Sequence, residues 1–476
     1  MSYCFRSCTL DQPFLLAPSL QEWLPEGHLA RLVADVVEQL DLSPIYAAYE
    51  RQDGRGSLGY HPLLLTRLLL YGYCLGVTSS RQMERRTYED VALRYLAADQ
   101  HPDHDTIAAF RQQHLESLAG LFVQALQLCQ KAGLVKLGHV AIDGSKLQAN
   151  ASKHKAMSYG RMSEAEQKLK AEVEELLRRA AETDAAEDEK YGKGKRGDEL
   201  PEELARRESR LKKIREAKAE LEAEAKQRAV EQKAAAEARI AERREQEARS
   251  GKKIGGRDPQ IPDPEKAQPA DTAQRNFTDP ESRIMPDGAH KGSFVQGYNA
   301  QIVVDSAAQI IVAAEVTQQS NDKQQLAPML EQVEQNLGAA PQAASADAGY
   351  WSEDQLKDER VEGIDLHVAT GKQKHGEADG ESATPMNESP AEEPSLREQM
   401  KQKLKTDSGS AVYRMRKAIV EPVFGQIKER RRFRRFSFRG LVKVRAEWKL
   451  ICLTHNLLKL FRSGWQFRSG WQFQSA

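Results

Sequence analysis

The stretch LVKLGHVAIDGSKLQA, from Leu134 to Ala149, decides the fold of this chain. Before it, from Glu26 to Gln130, apolar residues recur at the spacing of helices. Within it they form the short apolar run that is typical of a buried strand, and Asp143 lies inside or at the end of that strand. The sequence therefore predicts an all-helical N-terminal domain, residues 1–132, followed by a domain that contains a sheet.

Further strands are predicted after a long gap. The run GYNAQIVVDSAAQIIVAAEVT contains two β-rich segments joined at Asp305 to Ala308, as in a hairpin. A helix from Asp322 to Asn336, the strand AASADAGY with Asp347, and the strand IDLHVAT follow. Strands and helices in this order predict a mixed sheet flanked by helices. Asp143 and Asp347 would then lie near strand ends, where the ligand sites of open α/β sheets gather.

Three carboxylates are candidate metal ligands: Asp143 in VAIDGS, Asp347 in SADAGY, and Glu421 in the helical run AIVEPVFGQIK. Hard divalent cations prefer carboxylate oxygens, and paired ions can activate an attacking oxygen and stabilise a leaving one at phosphorus. The alternative is structural, because Asp-Gly and Asp-Ala-Gly are ordinary turn sequences and a glutamate can simply lie on a solvated helix face. The residues alone leave both interpretations open.

A charged, Ala-rich segment separates the first strand from the hairpin. It runs from Ser163 to Lys253, with apolar stripes at helical spacing on either side of YGKGKRGDELP, which interrupts the helix. A helical hairpin is therefore expected within an insertion of residues 161–284. Large apolar residues become scarce after Leu221, so the rest of the second helix is expected to be solvated rather than part of a coiled coil.

Charge is unevenly distributed, although 70 Lys and Arg balance 70 Asp and Glu in the 476-residue chain. Residues 372–395 are acidic and lack periodicity, which predicts a disordered linker. The basic run KERRRFRRFSFRG follows, from Lys428 to Gly440, and its arginines alternate with phenylalanines as in surfaces that grip phosphates. A solvated helix face is the alternative. The arginines expected to contact DNA are Arg430, Arg431, Arg432, Arg434 and Arg435.

Several classes of protein are not supported by the sequence. The five cysteines are scattered and form no CxxC pair with nearby histidines, which argues against a disulfide framework or a zinc ribbon. The run ATGKQ lacks the spacing of a nucleotide-binding loop. The longest apolar run, Leu63 to Leu75, contains Arg67 and is too short to cross a bilayer. A cytoplasmic protein without a membrane partner is expected.

Several blocks of the chain, in order, resemble the DDE-type transposases of bacterial insertion sequences. They are AIDGSKLQANAS, TDPESRIMPDG, GSFVQGYNAQIVVD, SADAGYWSEDQL and the run from Val420 to Leu460. The N-terminal PDHDTIAAFRQQH is similar to the helical N-terminal region of the same group. The resemblance covers most of the chain outside the insertion, the acidic linker and a tail of residues 463–476 that contains RSGWQF in tandem.

The resemblance implies a ribonuclease-H-like α/β core with an all-helical N-terminal domain and a long helical insertion. The core would combine residues 133–160, 285–371 and 396–462. Within it, Asp143, Asp347 and Glu421 would bind two Mg²⁺ ions, for which Mn²⁺ can substitute. Such an enzyme cleaves double-stranded DNA at terminal inverted repeats and joins the ends to target DNA. The two ends of an element make a homodimer the expected assembly.

The resemblance also assigns DNA contacts around Glu421. Lys428, two helical turns further on, would contact DNA near the cleaved phosphate. The upstream pattern fits poorly, because Tyr413 and Arg416 are each one place further from Glu421 than in the related enzymes, and Lys417 stands where the arginine would be. Two other functions remain open: a catalytically inactive DNA-binding or scaffolding protein, and a nuclease without strand transfer.

Overall fold

A computed structural model describes residues 19–49, 59–191, 202–250, 259–287, 292–371 and 394–465. Most of the predicted acidic linker, most of the predicted tail and the predicted break between the insertion helices lie outside these residues. The chain divides into two compact units. We call residues 1–148 with 298–476 the sheet unit, and residues 149–297 the insertion unit.

The N-terminal part of the sheet unit is helical, as its periodicity predicts. Side chains of Ser79, Asp90 and Asp103 cap α5, α6 and α7 by accepting hydrogen bonds from backbone N–H groups of the first turn. The helices are α1 (Leu20–Trp23), α2 (Leu29–Gln39), α3 (Ser43–Tyr46), α4 (Pro62–Cys74), α5 (Ser80–Glu89), α6 (Val91–Leu96), α7 (His104–Gln113) and α8 (Leu115–Lys131).

Strands and helices alternate in the rest of the chain. In chain order the elements are β1 (His139–Gln148), β2 (Ala156–Ser158), α9 (Tyr159–Tyr191), α10 (Glu202–Ser250), β3 (Gln274–Asn276), β4 (Arg283–Pro286), β5 (Phe294–Asp305) and β6 (Ile311–Thr317). They continue with α11 (Leu326–Leu337), β7 (Ala343–Ala346), α12 (Glu353–Leu356), β8 (Asp365–Val368), α13 (Leu396–Lys405), α14 (Asp407–Gly425) and α15 (Leu441–Arg462).

The sheet unit contains a mixed sheet, in agreement with the prediction. Its strands β5, β1, β7 and β8 are neighbours in this order, and β4 and β6 both pair with β5. β5 and β6 form the predicted antiparallel hairpin, whereas β1, β7 and β8 run parallel to one another. The parallel strands place the segments that carry Asp143 and Asp347 next to each other.

Helix α15 joins the N-terminal helices and the sheet in one core. Asn456 on α15 is fully buried, and its side-chain amide donates to the Ile311 carbonyl at 2.8 Å and accepts from the Ile311 N–H at 2.9 Å. The thiols of Cys74 on α4 and Cys129 on α8 contact backbone carbonyls of α15 at 3.8 Å. The helical region that the sequence separates as residues 1–132 therefore shares a compact unit with the sheet.

Helix α14 carries the predicted third carboxylate and remains continuous through Pro422. Proline has no N–H for the carbonyl four residues before it, which is that of Ala418. The side-chain amide of Gln309 donates to this carbonyl at 2.9 Å and so replaces the missing partner. Residues Gln426–Arg430 then form a π-helical turn, an element that often occurs at functional sites. The helix break predicted at Asp407 to Ser410 falls slightly earlier in the structure: α13 ends at Lys405, and Thr406 caps α14 by accepting from the Gly409 N–H, so Asp407 already begins α14.

The insertion unit contains the predicted pair of long helices. α9 and α10 run antiparallel, because Glu166 pairs with Arg215 at 3.0 Å and Glu172 pairs with Arg207 at 3.1 Å. Their buried seam is formed by Met162, Leu169, Leu211, Ile214, Ala217 and Leu221. Beyond Leu221, small residues replace large ones, and Ala229 and Ala236 are the buried positions among the described side chains of α10. None of the described helices is both long and apolar enough to span a membrane.

Candidate active site

Two aspartates meet on adjacent parallel strands of the sheet unit. β1 and β7 pair in the register Val140↔Ala344 and Ala141↔Ser345. Continued by two residues along each strand, this register places Asp143 beside Asp347. The Asp143 carboxylate accepts from the Gly144 N–H at 2.9 Å, and the Asp347 carboxylate accepts from the Gly349 N–H at 2.8 Å. The fold therefore brings together two of the three predicted ligands.

The surroundings of Asp143 disfavour its ionised form. Burial raises the pKa of its carboxyl to about 6, the Arg416 guanidinium opposes this shift, and the carboxylates of Asp347 and Asp322 add to it. The Arg416 Nη1 atom lies 3.6 Å from Asp143 Oδ2, and only 9% of the Arg416 side chain is exposed. The three carboxylates are therefore accompanied by the Arg416 guanidinium at Asp143 and the Lys146 ammonium at Asp322, which leaves one negative charge in excess.

Asp322 is a site residue that the sequence analysis misses. The pattern places it at the start of a helix, but α11 begins at Leu326 and the Asp322 side chain turns into the sheet instead. Its Oδ1 atom accepts from the amides of Asn299 and Gln301, each at 2.6 Å, and its Oδ2 atom lies 3.6 Å from Lys146 Nζ. No local signal separates this aspartate from a helix cap, because its partners come from distant strands.

Tyr350 completes the polar network behind the aspartates. It is fully buried, and its hydroxyl donates to Gln301 Oε1. Burial raises the pKa of Tyr350 well above its usual value, and the charges of Asp322, Asp143 and Asp347 reinforce the shift. The hydroxyl therefore keeps its proton and orients the Gln301 amide, which in turn donates to Asp322.

Gly144 leaves the space that this network occupies. A Cβ atom at this position would overlap the Gln301 amide and lie 2.9 Å from Asp322 Oδ1. We expect Gly144→Ala to lower the free energy of unfolding by about 1–3 kcal/mol, the usual cost of overpacking. Gly138→Ala is the control, since its Cβ would meet only Gln342 Oε1 at 4.0 Å. Urea denaturation of both variants measures the difference, and equal stability of the two would contradict the close packing at Gly144.

Glu421, the third predicted ligand, lies on α14. It is exposed on α14, and it follows Arg416 by five residues, which is about 140° around a helix of 3.6 residues per turn. Arg416 is therefore the residue of α14 that faces Asp143. Within the described part of the chain, no three His, Cys, Asp or Glu side chains converge closely enough to hold a metal ion.

Lys428 lies against the strand that carries Asp143. Its ammonium donates to the Ser145 hydroxyl and, at 3.5 Å, to the Lys146 carbonyl. Ser145 follows Asp143 by two residues and therefore shares its face of β1. The π-helical turn at Gln426–Arg430 holds the lysine in this position.

The predicted DNA-contacting arginines fall into two groups. Arg430, Arg432, Arg434 and Arg435 are exposed. Arg431 differs from the expectation, because it is only 4% exposed and its guanidinium donates to the Ile451 carbonyl and, at 2.8 Å, to the Thr454 hydroxyl. Burial also lowers the pKa of Arg431 to about 10. Its charge is used inside the protein, where it holds the end of the π-helical turn against α15.

The fold and this centre define an α/β protein with an acidic site on adjacent parallel strands. Residues 18–113 match the transposase domain DUF772, and residues 266–457 match the transposase DDE domain. Together the two matches identify the chain as a DDE-type transposase of insertion-sequence type, a family of metal-dependent enzymes that act on DNA. Comparison with curated proteins and with solved structures found no match.

The matched ranges treat the three predicted ligands differently. Asp347 and Glu421 lie inside the DDE domain match, as do Asp322, Arg416 and Lys428. Asp143 lies outside both matched ranges, and the insertion unit lies largely between it and the DDE match. The assignment of Asp143 therefore rests on its position beside Asp347 in the sheet.

Proposed function

We propose that this chain is a DNA transposase that cleaves the ends of its insertion sequence and joins them to target DNA by two-metal phosphoryl transfer. The observation that carries the proposal is the pair Asp143 and Asp347 on adjacent strands β1 and β7. The mixed sheet with two parallel strands carrying this pair also supports a ribonuclease-H-like core.

The residues fit Mg²⁺ as the implied cofactor, with Mn²⁺ as a substitute. Asp143 and Asp347 offer hard oxygen ligands. Burial raises the pKa of Asp143, and the nearby carboxylates of Asp347 and Asp322 add to this shift, so a bound cation would stabilise the ionised form. When bound, the ions would supply Lewis-acid activation of the attacking oxygen and stabilisation of the leaving oxygen. Water is the proposed nucleophile for cleavage, which breaks a phosphodiester bond and frees a 3′ hydroxyl; that hydroxyl then displaces a 3′ oxygen of the target.

The cations around the pair would position the DNA backbone. The Lys428 ammonium contacts Ser145, which lies on the same strand as Asp143, so it would lie near a phosphate held at the aspartate pair. The exposed Arg430, Arg432, Arg434 and Arg435 follow directly and would neutralise further phosphates, each contributing about 0.9 to the salt slope of duplex binding. Arg431 is left out of this surface because it is buried.

Glu421 is the proposed third ligand, on the strength of the resemblance and of its place in the DDE domain match. Glu421 is exposed on α14, so its carboxylate is accessible to solvent. We expect Glu421→Gln to lower Mg²⁺-dependent cleavage more than about 100-fold, since loss of an outer partner of a metal ligand alone costs 10–100-fold. Glu334→Gln on α11, an exposed glutamate in the same unit, should cleave like the wild type.

The assay uses a duplex that carries the element's end, a target plasmid, and Mg²⁺. Cleavage followed by joining supports the proposed function. Cleavage without joining would instead identify a nuclease, and DNA binding without any metal-dependent cleavage would identify an inactive binding or scaffolding protein. Cleavage by Glu421→Gln at the wild-type rate would remove Glu421 from the ligand set.

The proposed assembly and partners follow from the reaction. An insertion sequence has two ends, so we propose a homodimer that holds one terminal inverted repeat for each active site, with target DNA as a further partner. The proposed location is the cytoplasm, where the DNA of a bacterial insertion sequence lies.

A further inference from the structure

The insertion unit contains a groove lined by basic side chains. The groove has a volume of about 590 Å³ and lies between one face of α10 and the segments around residues 154–157 and 277–278. Its basic residues are His154, Lys155, Arg206, Arg210 and Lys213, and no carboxylate is found among the lining residues that the structure describes. We call it the basic groove.

A second groove of the same two helices provides an internal comparison. It lies on another face of α9 and α10 and has a volume of about 480 Å³. Its three cationic residues are matched by Glu174, Glu208 and Glu216, and two of them form ion pairs: Lys170 with Glu174 at 3.9 Å and Lys212 with Glu216 at 4.0 Å. The absence of carboxylates is therefore a property of the basic groove and not of the helical pair as a whole.

The spacing of the basic groove fits a polynucleotide backbone. Arg206, Arg210 and Lys213 are four and three residues apart, so they share one face of α10. They span seven residues, which is roughly 10 Å along the helix at 1.5 Å per residue. Measured along the duplex axis, that length corresponds to about three base-pair steps of 3.4 Å each.

The floor of the basic groove suits a sugar-phosphate backbone as well. Ile214 and Met157 line it with apolar atoms, and Phe277 is half-buried beside them. Lys155, Arg210 and Lys213 are exposed around this floor. Cationic walls above an apolar floor can bind phosphates while covering the deoxyribose.

We propose that the basic groove binds the phosphate backbone of double-stranded DNA, independently of base sequence. The insertion would then be a DNA-binding module of the transposase and not only a spacer within the catalytic domain. The proposal rests on the chain's action on DNA, but it does not depend on the Asp143 centre or on catalysis.

The test compares two double variants of the full-length chain. Arg210→Ala with Lys213→Ala removes two positive charges from the basic groove, and Lys170→Ala with Lys212→Ala removes two from the balanced groove of the same helices. Binding of an unrelated 30-base-pair duplex is measured across a salt series. Because each lost phosphate contact removes about 0.9 from the salt slope, we expect the first variant to lose up to about 1.8 and the control to lose little.

The affinity of the first variant at 0.1 M salt should fall roughly ten- to sixty-fold, as the same slopes imply. An unchanged slope, or equal losses in both variants, would overturn the proposal, because the effect would then be absent or due to net charge alone. Competition by millimolar inorganic phosphate as effective as competition by duplex would instead indicate a small anion site and also overturn it.

Cleavage distinguishes this proposal from the proposed function. In Mg²⁺, the first variant is expected to need a higher duplex concentration for half-maximal cleavage, because its two changes weaken DNA binding and lie in the insertion unit, whereas Asp143 and Asp347 lie in the sheet unit. Far-UV circular dichroism and thermal unfolding check that both double variants keep their helices. If wild type itself fails to cleave while the salt slopes differ as expected, the catalytic proposal fails and the basic groove stands.

Discussion

Asp143→Asn is expected to lower Mg²⁺-dependent cleavage of an element-end duplex more than about 100-fold while leaving the affinity for that duplex nearly unchanged. Asparagine keeps the size of the side chain but removes the charge that a divalent cation requires. Asp143 lies beside Asp347 in the parallel register of β1 and β7, so its loss leaves one carboxylate of the pair without its neighbour. The cationic residues that would bind phosphates are not altered.

Asp365→Asn is the matched control for this experiment. Asp365 opens β8, pairs in register with Ala343 at the beginning of β7, and is 57% exposed. It therefore lies in the same sheet at the strand ends opposite to Asp347. We expect Asp365→Asn to cleave like the wild type, and cleavage by Asp143→Asn within a few-fold of the control would refute the catalytic role of Asp143.

Measuring the free energy of unfolding of Asp143→Asn tests whether a loss of cleavage comes from unfolding. The pKa of Asp143 is raised from 3.8 to about 6 in the folded protein, so the folded state binds more protons than the unfolded state between these values. The free energy of unfolding therefore falls as pH rises through this window. In the absence of metal at pH 7, Asp143→Asn should raise it by roughly 1–3 kcal/mol, with little effect below about pH 4.

Trp448→Ala is expected to cause the largest loss of stability, about 3–5 kcal/mol. Trp448 on α15 is fully buried, and its indole N–H donates to the Gln301 carbonyl on β5 at 3.0 Å. Its ring stacks on Phe424 of α14 at 6.4 Å and meets Phe436 edge-on at the same distance. The Trp448 side chain thus joins α15, the sheet and α14, so its removal leaves a cavity where these elements meet.

Two substitutions bracket this prediction. Trp448→Phe keeps much of the ring but leaves the Gln301 carbonyl without its donor, which should cost about 1–3 kcal/mol. Trp23→Ala removes a tryptophan that is 47% exposed on α1, and it should change the free energy of unfolding by about 0.5 kcal/mol or less. Urea denaturation, monitored by near-ultraviolet circular dichroism, measures the free energy of unfolding of all three variants. A loss at Trp448 no greater than that at Trp23 would contradict the central position of Trp448.

The local elements were predictable because their signals are local. The strand around Asp143 and the hairpin joined at Asp305 to Ala308 follow from apolar period and turn composition, and the structure confirms them. The long helices of the insertion were predicted in the same way. Each of these features is encoded within about 20 residues, the length over which periodicity can be read.

The site was predicted less completely, because its contacts join residues that are far apart in the chain. Asp322 has the local pattern of a helix cap, and only Asn299 and Gln301 show that it belongs to the acidic network. Arg431 has the pattern of a surface arginine, yet Thr454 and the Ile451 carbonyl bind it in the interior. A residue's own neighbours in sequence do not encode partners of this kind.

The sequence by itself determined the class of elements, the order of the strands along the chain, and the two aspartates that the strands carry. Only the tertiary structure decided that Asp143 lies beside Asp347, that Arg416 faces Asp143, and that α15 joins the N-terminal helices to the sheet. The physical reason is that periodicity and propensity act over a few residues, whereas strand register, burial and ion pairing depend on contacts between distant segments.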